Sequence, residues 1–289
     1  MIPNRKAVVS IGLLVIAGAV QAATFINSCP FVITSPGDYL LSANLVCFGG
    51  GTGITITSSH VTLKLEGHTI FAGVGGNISA ISNSSSGGTV TPVTDVHILG
   101  PGLIFSDSTF PFTFGVSLVG SVTDSEVSGI TVQGQGRALT VGINADGQAI
   151  GTTGLTFTKN TTVGGTVGIS VINLTSSTIS ENVASGFTVG IEINNGVTSG
   201  SPIKLSGNLV IGNPNTGVDI IGGFVTAQNN IVSANSTVGI SVSSAHFVEI
   251  INNTALGNGT LDLFDADLNC VGTVWSGNTF LKANQSCIH

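Results

Sequence analysis

The chain has 289 residues, of which 42% are hydrophobic and 7% are charged, and its formal net charge at pH 7 is −7. Ordinary globular domains contain about 25% charged residues, so this composition excludes both a disordered, self-repelling chain and a charge-rich coiled coil. Seven basic residues against fourteen acidic ones give the wrong sign for a surface that tracks phosphates, and we expect no nucleic-acid partner.

The start of the chain has the pattern of a signal peptide. Arg5 and Lys6 precede an apolar run over residues 7–20, and small residues lead up to Ala22, where a signal peptidase would cut. The run is shorter than the ~20 residues of a membrane-spanning helix, which favours cleavage over an uncleaved anchor. We therefore predict a signal peptide over residues 1–22, a periplasmic or secreted protein, and no membrane span after cleavage.

Four cysteines fit this export. Cys29 and Cys47 lie near the start of the mature chain, and Cys270 and Cys287 lie near its end. Four cysteines allow three pairings, and the two local pairings are favoured because each closes a loop whose disulfide would stabilise by roughly 3 kcal/mol. A zinc site would require CxxC-like spacings, which the sequence lacks.

Internal repeats dominate the rest of the chain. A glycine followed by a β-branched residue recurs from Gly115 to Gly239, at steps of about 22 to 27 residues, and a series of asparagines runs in phase with it. The asparagines are Asn160, Asn182, Asn208, Asn230, Asn253 and Asn278. Between these anchors apolar and polar residues alternate, as in Ile191-Glu192-Ile193, which is typical of strands with one buried face. Such strands bury that face only when successive repeats stack as coils, with equivalent strands paired in parallel.

The asparagines have a structural interpretation in such a stack. Asparagine tolerates the left-handed conformation that a sharp bend requires. Its side-chain amide can also bond to the asparagines in the coils above and below. We therefore interpret the series as a structural ladder rather than as a set of ligands for sugar or metal.

The repeat resembles that of the right-handed parallel β-helix proteins, the pectate-lyase-like superfold, which includes many exported bacterial proteins. The resemblance extends from about Pro36 to the end and includes the opening segment Pro36-Gly37-Asp38-Tyr39-Leu40. It implies an all-β fold, a right-handed parallel β-helix with capped ends. We assign an N-terminal cap to residues 23–52, coils to residues 53–260, and a C-terminal coil and cap to residues 261–289.

Acidic residues mark the C-terminal cap. Asp262, Asp265 and Asp267 occur together shortly before Cys270. Calcium favours several carboxylate ligands, so a calcium cluster is one interpretation. We favour the other, a solvated acidic turn in a final half-coil that folds over the open end.

Enzymes with this fold that cut acidic polysaccharides provide a test of catalytic function. A lyase of the pectate type needs a basic residue and calcium-binding aspartates, and Arg137 is the only arginine after the predicted signal peptide. The sequence also lacks the Asn-Thr-Asp, Asp-Asp, Gly-His-Gly and Arg-Ile-Lys motifs of polygalacturonase-like hydrolases. His97 lies close to Asp95, but one such pair without a nucleophile is weak evidence for acid–base catalysis.

One segment nevertheless concentrates charged and amide side chains. The catalytic candidates there are Asp124, Arg137 and Asp146, and the binding candidates are Gln133, Gln135 and Gln148. In coils of about 26 residues, Asp124 would stack near Gln148 on the next coil, and the set would share part of one face. The alternative is a surface ion pair on a loop, which contributes little.

These observations favour a non-enzymatic exported protein that binds a polysaccharide or acts as a surface structural module. The polar face, rich in serine, threonine and asparagine, can form hydrogen bonds with hydroxyl groups. The alternative is a carbohydrate-active enzyme, a polysaccharide lyase or glycoside hydrolase that uses Arg137 with Asp124 or Asp146. A third hypothesis is an adhesive module for a partner protein. We expect no cofactor, with calcium as the alternative.

Overall fold

The computed structural model describes residues 22–75, 77–84, 90–136, 139–148, 152–196 and 201–289. The described chain is an all-β, right-handed parallel solenoid of about nine turns, which confirms the fold predicted from the repeats. The predicted signal peptide lies outside the described residues apart from Ala22, so it stays a prediction. Across the described residues, no helix has the length and apolar character needed to cross a membrane.

Three long parallel sheets, A, B and C, form the sides of the solenoid. Sheet A contains Phe31–Ile33, Thr52–Ile56, Asn77–Ser82, Phe112–Val119, Val141–Asp146 and Leu261–Asp265. Sheet B contains Thr24–Ile26, Gly37–Leu41, Val61–Lys64, Val96–Leu99, Glu126–Ser128, Thr156–Thr158, Thr178–Ser180, Ile203–Ser206 and Thr273–Ser276. Sheet C contains Leu45–Cys47, Thr69–Ala72, Leu103–Ser106, Thr131–Gly134, Leu209–Ile211, Ile231–Ser233 and Thr254–Leu256.

Four long strands bend from one sheet into the next. Thr161–Ile172 and Val183–Asn195 run from sheet C into sheet A, and Thr216–Gln228 and Val238–Ile251 run from sheet A into sheet B. A short fourth ladder contains Val93–Thr94, Val122–Thr123, Thr152–Thr153 and Leu174–Thr175. Strands already pair within residues 23–52, the range assigned to an N-terminal cap, because Thr24–Ile26 pairs with Gly37–Leu41.

The corners between the sheets differ in regularity. From Glu126–Ser128 onward, two residues connect each sheet B strand to sheet C, as Lys159 and Asn160 do between Thr158 and Thr161. The connections from sheet A to sheet B instead vary in length. In Thr216–Gln228 one strand continues from sheet A into sheet B without a break, whereas the interval from Ser82 to Val96 separates the two sheets in an earlier coil. Length variation among the coils is therefore concentrated at the corner between sheets A and B.

The interior is a continuous stack of aliphatic side chains. Ile143, Ile169, Ile191, Val218 and Ile240 occupy equivalent positions in successive sheet A strands, and each is at most 1% exposed. The glycine before each of these residues stands where the interior is narrow. A Cβ atom at any of these glycines would meet a side chain of sheet C or the backbone of the next coil. The recurring glycine is therefore a packing requirement.

The predicted asparagine ladder is present from Asn160 to Asn278. In each step the Nδ2 atom donates to the Oδ1 atom of the next asparagine, at 2.8–3.1 Å, as from Asn182 to Asn208 and from Asn230 to Asn253. The prediction that these asparagines are themselves left-handed is wrong. The left-handed residue is the preceding one, for example Lys159 with φ +56°, which frees the asparagine to direct its amide along the stack.

Disulfides close both ends. Cys29 bonds to Cys47 and Cys270 bonds to Cys287, so the two local pairings are confirmed. Two disulfides are consistent with an extracellular or periplasmic protein.

The aspartates of the C-terminal cap are structural, and the interpretation as a solvated turn is wrong. Asp262 and Asp265 are both fully buried. The Oδ2 atom of Asp262 accepts hydrogen bonds from the backbone N–H groups of Leu281 and Lys282, and that of Asp265 accepts one from the Trp275 indole. Although burial by itself would raise the pKa of Asp262, these and further hydrogen bonds from Asn258 hold it below its usual value. The cap is thus fastened by buried carboxylates.

Candidate functional site

The outer face of sheet A carries one polar residue per coil. In each strand this residue lies between two inward-facing residues, as Glu192 lies between Ile191 and Ile193, so its side chain must point outward. The register of the ladder aligns these residues in a single row, which we call the polar column. Its members are Thr55, Ser82, Ser117, Asn144, Ser170, Glu192, Asp219 and Ser241.

Glu192 and Asp219 are the charged members of the column, and they are direct neighbours in the ladder. Adjacent strands are about 4.8 Å apart, so two carboxylates of like charge stand side by side. Burial raises the pKa of Glu192, and the charge of Asp219 raises it further. Burial also raises the pKa of Asp219, while a hydrogen bond from the Ser241 hydroxyl partly opposes this shift.

This pair has the properties expected of an acid and a base. Two interacting carboxyl groups with different surroundings tend to titrate separately, so that one is protonated while the other is ionised. The Ser241 hydroxyl favours the ionised form of Asp219, and an ionised Asp219 in turn favours the protonated form of Glu192. As the pH falls, these two effects favour protonation of Glu192 over protonation of Asp219.

A cavity opens over the other half of the polar column. Its volume is about 210 Å³, and Ser82, Ser117 and Asn144 line it together with Phe114 and Asp146. Asn144 Nδ2 donates a hydrogen bond to Ser117 Oγ at 3.4 Å. The volume is below the usual range of small-ligand sites, about 300–1,000 Å³, so we assign no ligand to this cavity by itself.

A separate network of histidines and carboxylates lies on sheet B. Asp95 accepts hydrogen bonds from His60 and His97, both at 2.9 Å, and His97 also contacts Glu126 at 3.3 Å. The bonds from His60 and His97 lower the pKa of Asp95. Exposed ion pairs of this kind contribute little to stability. Within the described ranges, no group of three or more histidine, cysteine, aspartate or glutamate side chains is placed to hold a metal ion.

The family model described as "Right handed beta helix region" matches residues 104–288. The chain belongs to the right-handed β-helix family. A search of the curated proteins finds no match to this β-helix protein.

Solved structures share the fold at low identity. The A-module of mannuronan C-5 epimerase AlgE6 from Azotobacter vinelandii is 14% identical, with a TM-score of 0.67, over 91% of this chain and 80% of its own. The Dettilon tailspike protein is 14% identical, with a TM-score of 0.62, over 91% of this chain and 60% of its own. The catalytic domain of a GH87 α-1,3-glucanase, solved with tetrasaccharides, is 10% identical, with a TM-score of 0.58, over 92% of this chain and 60% of its own. At these identities the likeness establishes the fold alone.

The candidate site residues that lie close together in the sequence are spread over several faces of the β-helix. Asp124 is a left-handed turn residue that stacks beside Gly154, so the prediction that it lies near Gln148 is wrong. The physical reason is that this coil is longer than the average repeat. Gln133 is exposed on sheet C, and Gln135 is exposed in the turn that follows it.

Two of the candidates do come together, at the end of a sheet A strand. Gln148 donates its backbone N–H to Asp146 Oδ1 at 2.8 Å, and Asp146 lines the cavity over the polar column. Arg137 lies outside the described residues. Sequence reasoning missed Glu192 and Asp219 as a pair, although both show the same signal, an acidic residue between two aliphatic ones that follow a repeat glycine.

Proposed function

We propose that this β-helix protein binds a neutral carbohydrate chain at the accessible end of the polar column of sheet A. The observation that carries the proposal is the pair of partly buried carboxylates, Glu192 and Asp219, in line with Ser241, whereas the other five members of the column are buried. Such groups bond to sugar hydroxyls, and their repeat of about 4.8 Å along the solenoid suits a chain-like ligand.

The charge of the column favours a neutral polymer over an acidic one. Its two charged members are both acidic, and the protein carries a formal net charge of −7. A polymer of uronic acids would be repelled by this surface, whereas the hydroxyl groups of a neutral glycan donate hydrogen bonds to carboxylates without an electrostatic cost.

Structures of similar fold support a role with carbohydrates. They include a mannuronan C-5 epimerase module, a tailspike protein and an α-1,3-glucanase in complex with tetrasaccharides. Function depends on sites rather than on folds, so these neighbours support the ligand class and leave the choice of glycan to experiment. The disulfides agree with a protein that meets polysaccharides outside the cytoplasm.

A second candidate function is hydrolysis of the bound glycan, and the raised pKa values of Glu192 and Asp219 favour it. Carboxyl groups on strands about 4.8 Å apart approach the spacing of retaining glycosidases, about 5–5.5 Å. Asp219 would attack the sugar carbon while Glu192 protonates the departing glycosidic oxygen. Water would then release the sugar from Asp219 and return a proton to Glu192.

A polysaccharide panel tests both candidates. The mature protein would be incubated with neutral and acidic polymers, with and without calcium, and followed by retention on the insoluble polymers and by new reducing ends. Glu192→Gln and Asp219→Asn remove the two charges at nearly constant shape. Glu181→Gln is the matched control, because Glu181 is an exposed carboxylate that pairs only loosely with Lys159, at 3.9 Å.

We expect retention on at least one neutral polymer, weakened about tenfold by either column variant and unchanged by Glu181→Gln, since a charged hydrogen bond contributes about 1.5–3 kcal/mol. New reducing ends that both column variants abolish would establish hydrolysis. Equal retention by all the proteins would overturn the proposal. Calcium-dependent release of unsaturated uronates, lost in Arg137→Ala, would instead support the polysaccharide lyase that the sequence analysis kept as an alternative.

A further inference from the structure

Sheet B has a groove of its own near the C-terminal end of the solenoid. Pro202, Phe224 and Phe247 form one wall, and Thr226 and Glu249 face them, around a cavity of about 570 Å³. We call these residues the aromatic groove. The volume lies within the usual range of small-ligand sites, about 300–1,000 Å³.

The apolar wall arises from a change of chemistry at one turn position. The turn that leads into sheet B has an equivalent residue in every coil, as the strand register shows. After Pro36 in the first such turn, the residues at this position are polar or small, namely His60, Asp95, Asp124, Gly154 and Ser176. The next three coils carry Pro202, Phe224 and Phe247. Three apolar rings thus stand one coil apart along the solenoid axis.

The two phenylalanines occupy conformations that disfavour them. Phe224 has φ +55° and Phe247 has φ +57°, in the left-handed region that bulky side chains seldom adopt. Their ring centroids are 5.1 Å apart with the planes tilted by 40°. The Phe247 side chain is 73% exposed, so packing in the core does not explain its presence. The left-handed conformation belongs to this turn position in other coils too, as at Asp95 and Ser176, so the unusual feature is the choice of phenylalanine there.

The facing wall supplies hydrogen-bonding groups in the same register. Thr226 and Glu249 are ladder partners whose side chains point outward, and Thr226 Oγ1 donates to Glu249 Oε2 at 3.2 Å. The groove is therefore apolar on one side, while the other side carries Thr226 and Glu249 and ends at Val274, the next residue of that row. It extends along the solenoid axis, parallel to the polar column but on a different sheet.

We propose that the aromatic groove is a second carbohydrate site, which holds pyranose rings of a neutral oligosaccharide. A pyranose has an apolar face of C–H groups and an equator of hydroxyls. The apolar face would pack on Phe224 and Phe247, as apolar groups do on aromatic rings. The hydroxyls would donate to Glu249. The carboxylate and the net charge of −7 disfavour fatty acids and acidic sugars in the same groove.

The test uses the mature protein, a series of neutral gluco-tetrasaccharides, and variants that leave the core intact. Phe247→Ala removes an exposed ring, and Phe247→Tyr restores one. Phe25→Ala is the matched control, because Phe25 is 64% exposed on the first strand of sheet B. Binding would be measured by calorimetry, and saturation-transfer NMR would identify the sugar protons that lie against aromatic rings. All proteins would also carry Glu192→Gln and Asp219→Asn, which separates this site from the polar column.

We expect at least one tetrasaccharide to bind, about tenfold more weakly after Phe247→Ala and normally after Phe247→Tyr or Phe25→Ala. Saturation transfer should be strongest to ring C–H protons. The proposal is overturned if no tetrasaccharide binds, or if Phe247→Ala and Phe25→Ala have equal effects. It is also overturned if the groove takes up only an apolar dye, which would indicate a lipid-like ligand. Binding that the column variants leave unchanged and that Phe247→Ala weakens would contradict the function proposed for sheet A without affecting this one.

Discussion

The glycine at the start of each sheet A strand is required because the neighbouring sheet and coil leave no room for a side chain there. At Gly217 an added Cβ atom would stand 2.5 Å from Val232 Cγ1, 2.6 Å from Asn235 Nδ2 and 2.7 Å from the Gly239 carbonyl oxygen. All three neighbours belong to the stacked interior and cannot move independently. A single methyl group would therefore force coils apart.

Gly217→Ala should lower the free energy of unfolding by about 1–3 kcal/mol, the usual cost of overpacking a core. Thermal unfolding measures this loss. Gly196→Ala serves as the control, because among the described residues its Cβ atom would meet only Asn173 Oδ1, at 3.2 Å. Equal midpoints for the two variants would show that the glycine series is not a packing requirement.

The charges of Glu192 and Asp219 carry a cost in stability that depends on pH. Their folded-state pKa values lie above the ordinary values of 4.5 and 3.8. The pair therefore favours folding most below pH 4, where both groups are protonated in either state. That contribution is lost as the pH rises through the raised folded-state values.

Glu192→Gln should consequently stabilise the protein at pH 7 and leave it unchanged at pH 3. The expected rise in the melting temperature at pH 7 is on the order of 2 °C, and calorimetry at the two pH values would measure it. Glu181→Gln should show no such gain, because the Glu181 side chain is 62% exposed and lies near Lys159. A shift of the same size at both pH values would exclude the electrostatic explanation.

Asparagine ladders are the elements that join one coil to the next. The sequence predicted the ladder through Asn160 and Asn208 because it recurs once per repeat at a fixed two-residue corner. A second ladder escaped notice, in which Asn213 donates to Asn235, Asn235 to Asn258, and Asn258 to Asp262. It lies in the four-residue connections from sheet C to sheet A of the last coils, so only three asparagines belong to it, and its last member is an aspartate.

Asn208→Ala should destabilise the protein by about 3 kcal/mol. The Oδ1 atom of Asn208 accepts from both the backbone N–H and the Nδ2 atom of Asn182, and each buried donor without a partner costs about 1–3 kcal/mol. Denaturant unfolding gives the loss, and hydrogen exchange should show faster exchange at the Asn182 amide. The control is Asn194→Ala on the exposed face of sheet A. Comparable losses in both variants would argue against the ladder as a source of cohesion.

At the scale of the molecule, stability is a sum over neighbouring coils. Because each coil contacts mainly the next, damage at one end should remain local. Replacing Cys270 and Cys287 by serine opens a loop whose disulfide contributes roughly 3 kcal/mol. Hydrogen exchange should then increase over residues 261–289 and remain unchanged near Asn160. A uniform increase in hydrogen exchange along the solenoid would show that the caps control the stability of the whole fold.

The sequence predicted the fold well because its evidence is local and repeated. This evidence consists of the alternation of apolar and polar residues around Ile191, the asparagine series and the cysteine spacing. Each of these patterns remains recognisable when the coil length changes. The candidate site was harder to find for the opposite reason. The polar column draws one residue from each coil, so Glu192 and Asp219 are far apart in sequence. The conspicuous segment around Asp124 is instead spread over several faces of the solenoid.

The irregular corner between sheets A and B has a consequence for how such a protein changes over generations. Insertions there lengthen one coil without altering the two-residue corners, the ladders or the aliphatic stack. The corner borders the polar column on one side and the aromatic groove on the other. Like the variable loops of an antibody domain, it offers a place where recognition can diversify while the scaffold stays constant. Grafting a new peptide between Asp146 and Thr156 is therefore the natural route to altering what this solenoid recognises.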